Sequence, residues 1–165
     1  MVGFRINTRK REHTDKVGKL ILVGHAETAF EYAVHQGMKA SDYTPVAVEA
    51  ISMLMEVREF ETVAFTAEKF ALGPQDLIQL REQMLNILPE YFVKLGELNE
   101  HPYVSSNQMG SGTVGNRASY ELVSSLATSF GFMTKDIEKA VERANAILQK
   151  RQPPYEHAIY AQLRP

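Results

Sequence analysis

The spacing of apolar positions along the chain begins as a short alternation and then turns helical. Val2, Phe4 and Ile6 alternate with Gly3, Arg5 and Asn7, the period of an extended segment. Apart from Lys19–Val23, no other run reads as a strand. A lone strand leaves its backbone groups unpaired, so residues 1–13 are expected to form a basic extended arm that pairs elsewhere. From Thr14, a capping residue, Val17, Leu20 and Ile21 recur at helical spacing. Val23, Ala26, Phe30, Ala33 and Val34 continue a stripe to a stop at Gly37.

Thr44-Pro45 has the form of a helix start, a capping residue followed by proline at the first helical position. Val46, Ala50, Met53, Leu54 and Val57 are its expected apolar face, with the methionines as flexible core filler. A short helix over 61–70 follows. Pro74 then opens another, with Leu77, Ile78, Leu80, Met84, Leu85 and Leu88 facing inward. Pro89 should kink or end it, because proline lacks a backbone donor and crowds the preceding turn.

Residues 98–116 read as one long irregular Gly/Ser/Asn loop, a length uncommon inside compact domains. Two amphipathic helices come after it. Leu122, Val123, Leu126, Ala127 and Phe130 mark the first. Ile137, Ala140, Val141, Ala144, Ile147 and Leu148 mark the second, capped by Thr134. Pro153-Pro154 stops that helix and leaves a tail over 153–165. The expectation is all-α: a single-domain bundle of about six helices over 14–152.

Composition changes this picture little, but it excludes several functions. The 165 residues carry 44% hydrophobic and 23% charged side chains, enough for one domain with a real core. The chain has no cysteine, which rules out disulfides, thiol catalysis and thiolate zinc sites. No apolar run approaches the roughly 18 residues of a membrane span. The first residues lack the form of a signal peptide, so a cytoplasmic or other intracellular location is expected.

Charge is uneven. Met1–Ser41 holds seven Lys/Arg against four Asp/Glu, and Asp42–Glu100 holds four against eleven. Such asymmetry points to contacts between subunits or with a partner.

Three stretches carry candidate chemistry. "MGSGTVGNR" contains G-x-G-x-x-G at Gly110, Gly112 and Gly115. A dinucleotide turn needs a buried strand before it and a βαβ unit around it, and "HPYVSSNQ" is polar and short. The glycines are therefore read as a chain-reversing connector. The alternative is an anion site built from backbone donors and Arg117.

"LILVGHAETAF", residues 20–30, resembles the nucleophile segment of the histidine phosphatases. The resemblance implies His25 as nucleophile beside Glu27 and Thr28. Gly24 stands where that family's phosphate-clamping arginine would be, and Ala26 replaces a glycine. His25 and Glu27 are accordingly read as helix surface.

Residues 61–88 have helix-turn-helix spacing, with Ala67, Ala71, Leu72, Leu77 and Leu80 at the small and apolar positions. Gln75, Gln79 and Arg81 would be its DNA contacts. Surrounding acids oppose this reading, since DNA affinity rests on phosphate neutralisation. Glu31 and His35 form an i, i+4 pair, and no histidines stand at metal-ligand spacing.

No catalytic, cofactor or metal residue is assigned. The expected function is a non-enzymatic assembly or interaction protein, in the manner of virion components or host-factor binders. It would self-associate through Val2, Phe4 and Ile6, with Arg5, Arg9, Lys10 and Arg11 approaching acidic helices of a neighbour. DNA binding through 61–88 is the second reading, and phosphate or nucleotide binding at 110–117 the third. No membrane partner is expected.

Overall fold

The structure, a computed structural model, describes the backbone over residues 2–99 and 112–151 and the side chains over 10–94 and 121–150. Among the described residues it contains seven α-helices and no strand. They are α1 (Val2–Leu22), α2 (Ala26–His35), α3 (Ala40–Glu56), α4 (Phe60–Lys69), α5 (Arg81–Asn99), α6 (Gly112–Phe130) and α7 (Thr134–Arg151).

The extended arm expected at the N-terminus is instead the beginning of α1. An alternation only five residues long is weak when helix propagates cheaply from an already packed turn. Arg5, Arg9, Lys10, Arg11 and Glu12 are all good helix formers. Thr14, expected to cap, lies mid-helix, and its hydroxyl donates back to the Arg11 carbonyl at 2.9 Å.

Helices α1 and α2 form an antiparallel hairpin, with His13 Nδ1 2.6 Å from the Tyr32 hydroxyl. Helix α3 runs alongside α1 in the same direction. Lys10 meets Asp42 at 2.6 Å, and a Cβ at Gly18 would stand 3.2 Å from Val46 Cγ1. The first turn of α3 is closed by Asp42, whose carboxylate accepts the Lys39 N–H. The helix therefore begins at Ala40 and not at Thr44-Pro45, and Pro45 lies within it.

Small residues set the close packing of the N-terminal half. Ala26, Ala29 and Ala33 lie at i, i+3 and i+7 on α2 and are fully buried. Ala47, Ala50, Ile51, Leu54 and Met55 are the buried face of α3. Met53, Val57, Val23 and Val34, expected on inward stripes, are exposed instead; the alanine positions are the true centre of each stripe. Phe30, Tyr43 and Phe70 join α2, α3 and the end of α4 edge to face, with centroids 5.4–5.9 Å apart.

Five helices end in one geometry. After α1 the Gly24 N–H reaches Ile21 O and the His25 N–H reaches Leu20 O, both at 2.9 Å, a Schellman cap. Gly24 and Gly37 supply the left-handed residue after α1 and α2, and Gly131 does so after α6. Arg58 and Ala71 do the same after α3 and α4, at φ 64° and 50°. A side chain costs about 1–2 kcal/mol in this conformation. At Arg58 the guanidinium offsets part of it by donating to the Met55 and Glu56 carbonyls and to Glu90.

The helix expected to start at Pro74 begins seven residues later. Asp76 accepts the Gly73 N–H at 3.0 Å, and Leu80 N–H returns to Leu77 O. Residues 74–80 thus form successive turns that bury Leu77 and leave Ile78 exposed. Pro89 does not end α5 but lies inside it. The missing hydrogen bond costs about 3 kcal/mol in an open helix. Burial of Ile87, Leu88, Tyr91 and Val93 holds the helix through the break.

Helices α5 and α7 run side by side from adjacent N-termini, where Arg81 reaches Asp136 at 2.8 Å. Asp136 also accepts the Met133 N–H at 3.0 Å. That backbone donor, with the Arg81 guanidinium behind it, holds the Asp136 carboxyl below the ordinary aspartate value of 3.8. Lys10 lowers Asp42, and Arg58 lowers Glu90 from its ordinary 4.5.

A depressed native pKa supplies stability that is complete above the ordinary value and is lost as pH falls through the lowered one. Thermal midpoints should therefore drop between about pH 5 and about pH 2. In Asp136→Ala the drop should be shallower, from a lower starting midpoint. Parallel curves for the two chains would show that Asp136 contributes nothing to it.

Candidate functional site

Val2, Phe4, Arg5, Ile6 and Arg9 all fall on the first turns of α1. Lys10 is held by Asp42, and Arg11 is exposed. The residues expected to form an extended interaction arm thus all lie on one helix.

The described part of the glycine string is helical. Gly110 lies outside the described residues, whereas Gly112, Gly115 and Arg117 are in the first turns of α6. Of the irregular stretch expected over 98–116, residues 98–99 lie in α5 and residues 112–116 in α6, and residues 100–111 lie outside the described residues. Helix propagation through Thr113 and Val114 overrides the low propensity of two glycines.

The helix-turn-helix unit is not formed as expected. Gln75 and Gln79 are exposed on the turns before α5, not on a second helix. Arg81 is the first residue of α5, with a side chain only 22% exposed. Its terminal nitrogens contact Glu82 at 3.0 Å and Asp136 at 2.8 Å, and its guanidinium sits over the Phe132 ring. It works as a staple between α5 and α7.

His25 is exposed in the turn before α2, and Glu27 pairs with Lys69 at 2.8 Å. Among the described residues, which are helical, there is none of the α/β alternation that the histidine-phosphatase resemblance implied. Glu31 and His35 are both exposed. Among the described residues, no group of three His, Asp or Glu side chains could hold a metal ion. No helix there is long and apolar enough to cross a membrane.

Two concavities were not foreseen. The larger, about 550 Å³, lies between the C-terminal part of α4 and the middle of α6. Ala67, Ala71 and Leu72 supply its apolar wall, and Ser124, Ser125, Thr128 and Ser129 its hydroxyl wall. Glu68 and Glu121 also line it, and both are exposed. The Thr128 hydroxyl donates to Ser124 O, so part of this polarity is satisfied within α6. Ser124/Thr128 and Ser125/Ser129, each pair one turn apart, were the available sequence signal. Small hydroxyl residues inside an apolar stripe carry little of it.

The smaller cleft, about 190 Å³, lies between α5 and α7 and is lined by Arg81, Glu82, Asn86, Asp136, Lys139 and Arg143. Here opposite charges answer one another within the fold.

No protein-family model matches this chain, and neither a curated protein nor a solved structure is detectably similar to it.

Proposed function

We propose that this chain is a helical interaction protein that assembles with copies of itself through the first turns of α1. The observation that supports the reading is a mismatch of length. Helix α1 has 21 residues and its hairpin partner α2 has 10, about 31 Å against about 15 Å. The Lys10–Asp42 pair sets Lys10 beside the start of α3. Eight helical residues, Val2–Arg9, precede that point, a further length of about 12 Å.

Within those eight residues stand Val2, Phe4 and Ile6 with Arg5 and Arg9. A helix of two turns is marginal in water without a packing partner. Apolar residues interleaved with arginine suit a protein surface, where arginine and aromatic residues are enriched. The acidic middle of the chain offers the complementary charge.

Light scattering of the full chain across a concentration series should give a mass above that of the monomer. The chain lacking residues 2–9 should give the monomer mass. A full-length monomer at every concentration would remove the proposal.

A further inference from the structure

We infer that the cleft between α5 and α7 binds a phosphate group, held by Lys139 and Arg143 on one wall and Asn86 on the other. The site is independent of self-association through α1.

The charges of this cleft divide into a closed set and an open one. Glu82 and Asp136 both contact the Arg81 guanidinium, at 3.0 Å and 2.8 Å. Asp136 also accepts the Met133 N–H. These three side chains answer one another. Lys139 and Arg143 line the same cleft and are exposed, yet among the described residues neither enters an ion pair. The Asn86 side chain is exposed too and has no hydrogen bond there. The lining thus holds a surplus of positive charge on a chain whose formal net charge is −2.

The open set is arranged for a tetrahedral anion. Lys139 and Arg143 are four residues apart on α7, so they share a face and stand about 6 Å apart along its axis. Asn86 lines the cleft from α5. Three or four oxygens in a tetrahedron can accept from both walls at once, whereas a carboxylate presents only two in one plane. Ammonium and guanidinium groups are strong donors to phosphate. The cleft also lies along the first turns of two helices that start side by side, so both helix dipoles add to the attraction.

Size limits the ligand. About 190 Å³ accommodates a phosphate group but falls below the roughly 300 Å³ at which pockets begin to enclose a whole small molecule. The organic part of a phosphate ester would stay in solvent.

Titration of the full chain with inorganic phosphate or glycerol phosphate, followed by amide NMR at low ionic strength, tests this. Saturable shifts should map to residues 81–86 and 136–143. Shifts with both ligands would admit an ester, and shifts with phosphate alone would restrict the site to the free ion. Lys139→Gln with Arg143→Gln should weaken binding about tenfold. Lys19→Gln with Lys39→Gln, exposed cations elsewhere, removes the same charge and should leave binding unchanged. Circular dichroism checks the fold of each variant. No saturable shift with either ligand would overturn the site. So would shifts that map elsewhere, or equal weakening in the two double variants, which would mean attraction by overall charge alone.

Discussion

Replacing Phe130 with alanine should lower the free energy of unfolding by about 3–5 kcal/mol. Phe130 ends α6, has no exposed surface and leads the fully buried side chains by volume. Its ring stacks on Phe132 at 5.6 Å and 22°, and Phe132 in turn lies under the Arg81 guanidinium. Truncation removes the transfer free energy of the ring and leaves a cavity that surrounding helices can fill only in part. The loss extends to Phe132, and through it to the Arg81–Asp136 staple that sets α5 beside α7. Domains of this size are stable by about 5–15 kcal/mol, so about a fifth or more of the total is at stake. Urea denaturation should show a lower midpoint with an unchanged slope. Met53→Ala, at a position 48% exposed, should stay within about 0.5 kcal/mol of the parent. A Phe130→Ala cost as small as that would mean α6 does not close the core.

The helices that pack were legible because their apolar period is long. Leu126 and Phe130 on α6, and Ala140 and Ala144 on α7, are buried where the 3.6-residue stripe puts them. Helix ends were harder, since each is decided by a few local hydrogen bonds. Asp42 starts α3 before Thr44-Pro45, and Asp76 turns the chain at Gly73 and delays α5 to Arg81. Pro89 obeys the packing of its neighbours more than its own preference. Val2-x-Phe4-x-Ile6 was misread because three alternating residues cannot outweigh a helix already nucleated at Val17 and Ile21. The groove was illegible for a different reason. Its two walls are 53 residues apart along the chain (68 to 121), and alanine and serine say little until another helix is laid beside them. What survived the change from strand to helix was composition: arginines and large apolar residues concentrated ahead of a long acidic stretch.

Gly131→Ala should destabilise the fold by about 2–3 kcal/mol, through two separable effects. Gly131 lies at φ 67°, where an added Cβ costs about 1–2 kcal/mol. The chain tolerates that at Ala71, φ 50°, which is exposed. At Gly131 the new Cβ would also stand 3.0 Å from Pro74 Cβ and 3.1 Å from Pro74 Cγ. A pyrrolidine ring cannot swing aside as a flexible side chain does, so the α6–α7 turn and the 73–80 turns must separate. That seam also carries the Schellman bond from Phe132 N–H to Ala127 O at 2.9 Å. A double-mutant cycle divides the two costs. Pro74→Gly removes both obstructing atoms, so Gly131→Ala on that background should cost only the conformational part, and the coupling should be about 1 kcal/mol. Urea titration of the four chains measures it. Additive effects would show that the turn and the proline do not press on each other, and would detach the end of α6 from the segment that leads into α5.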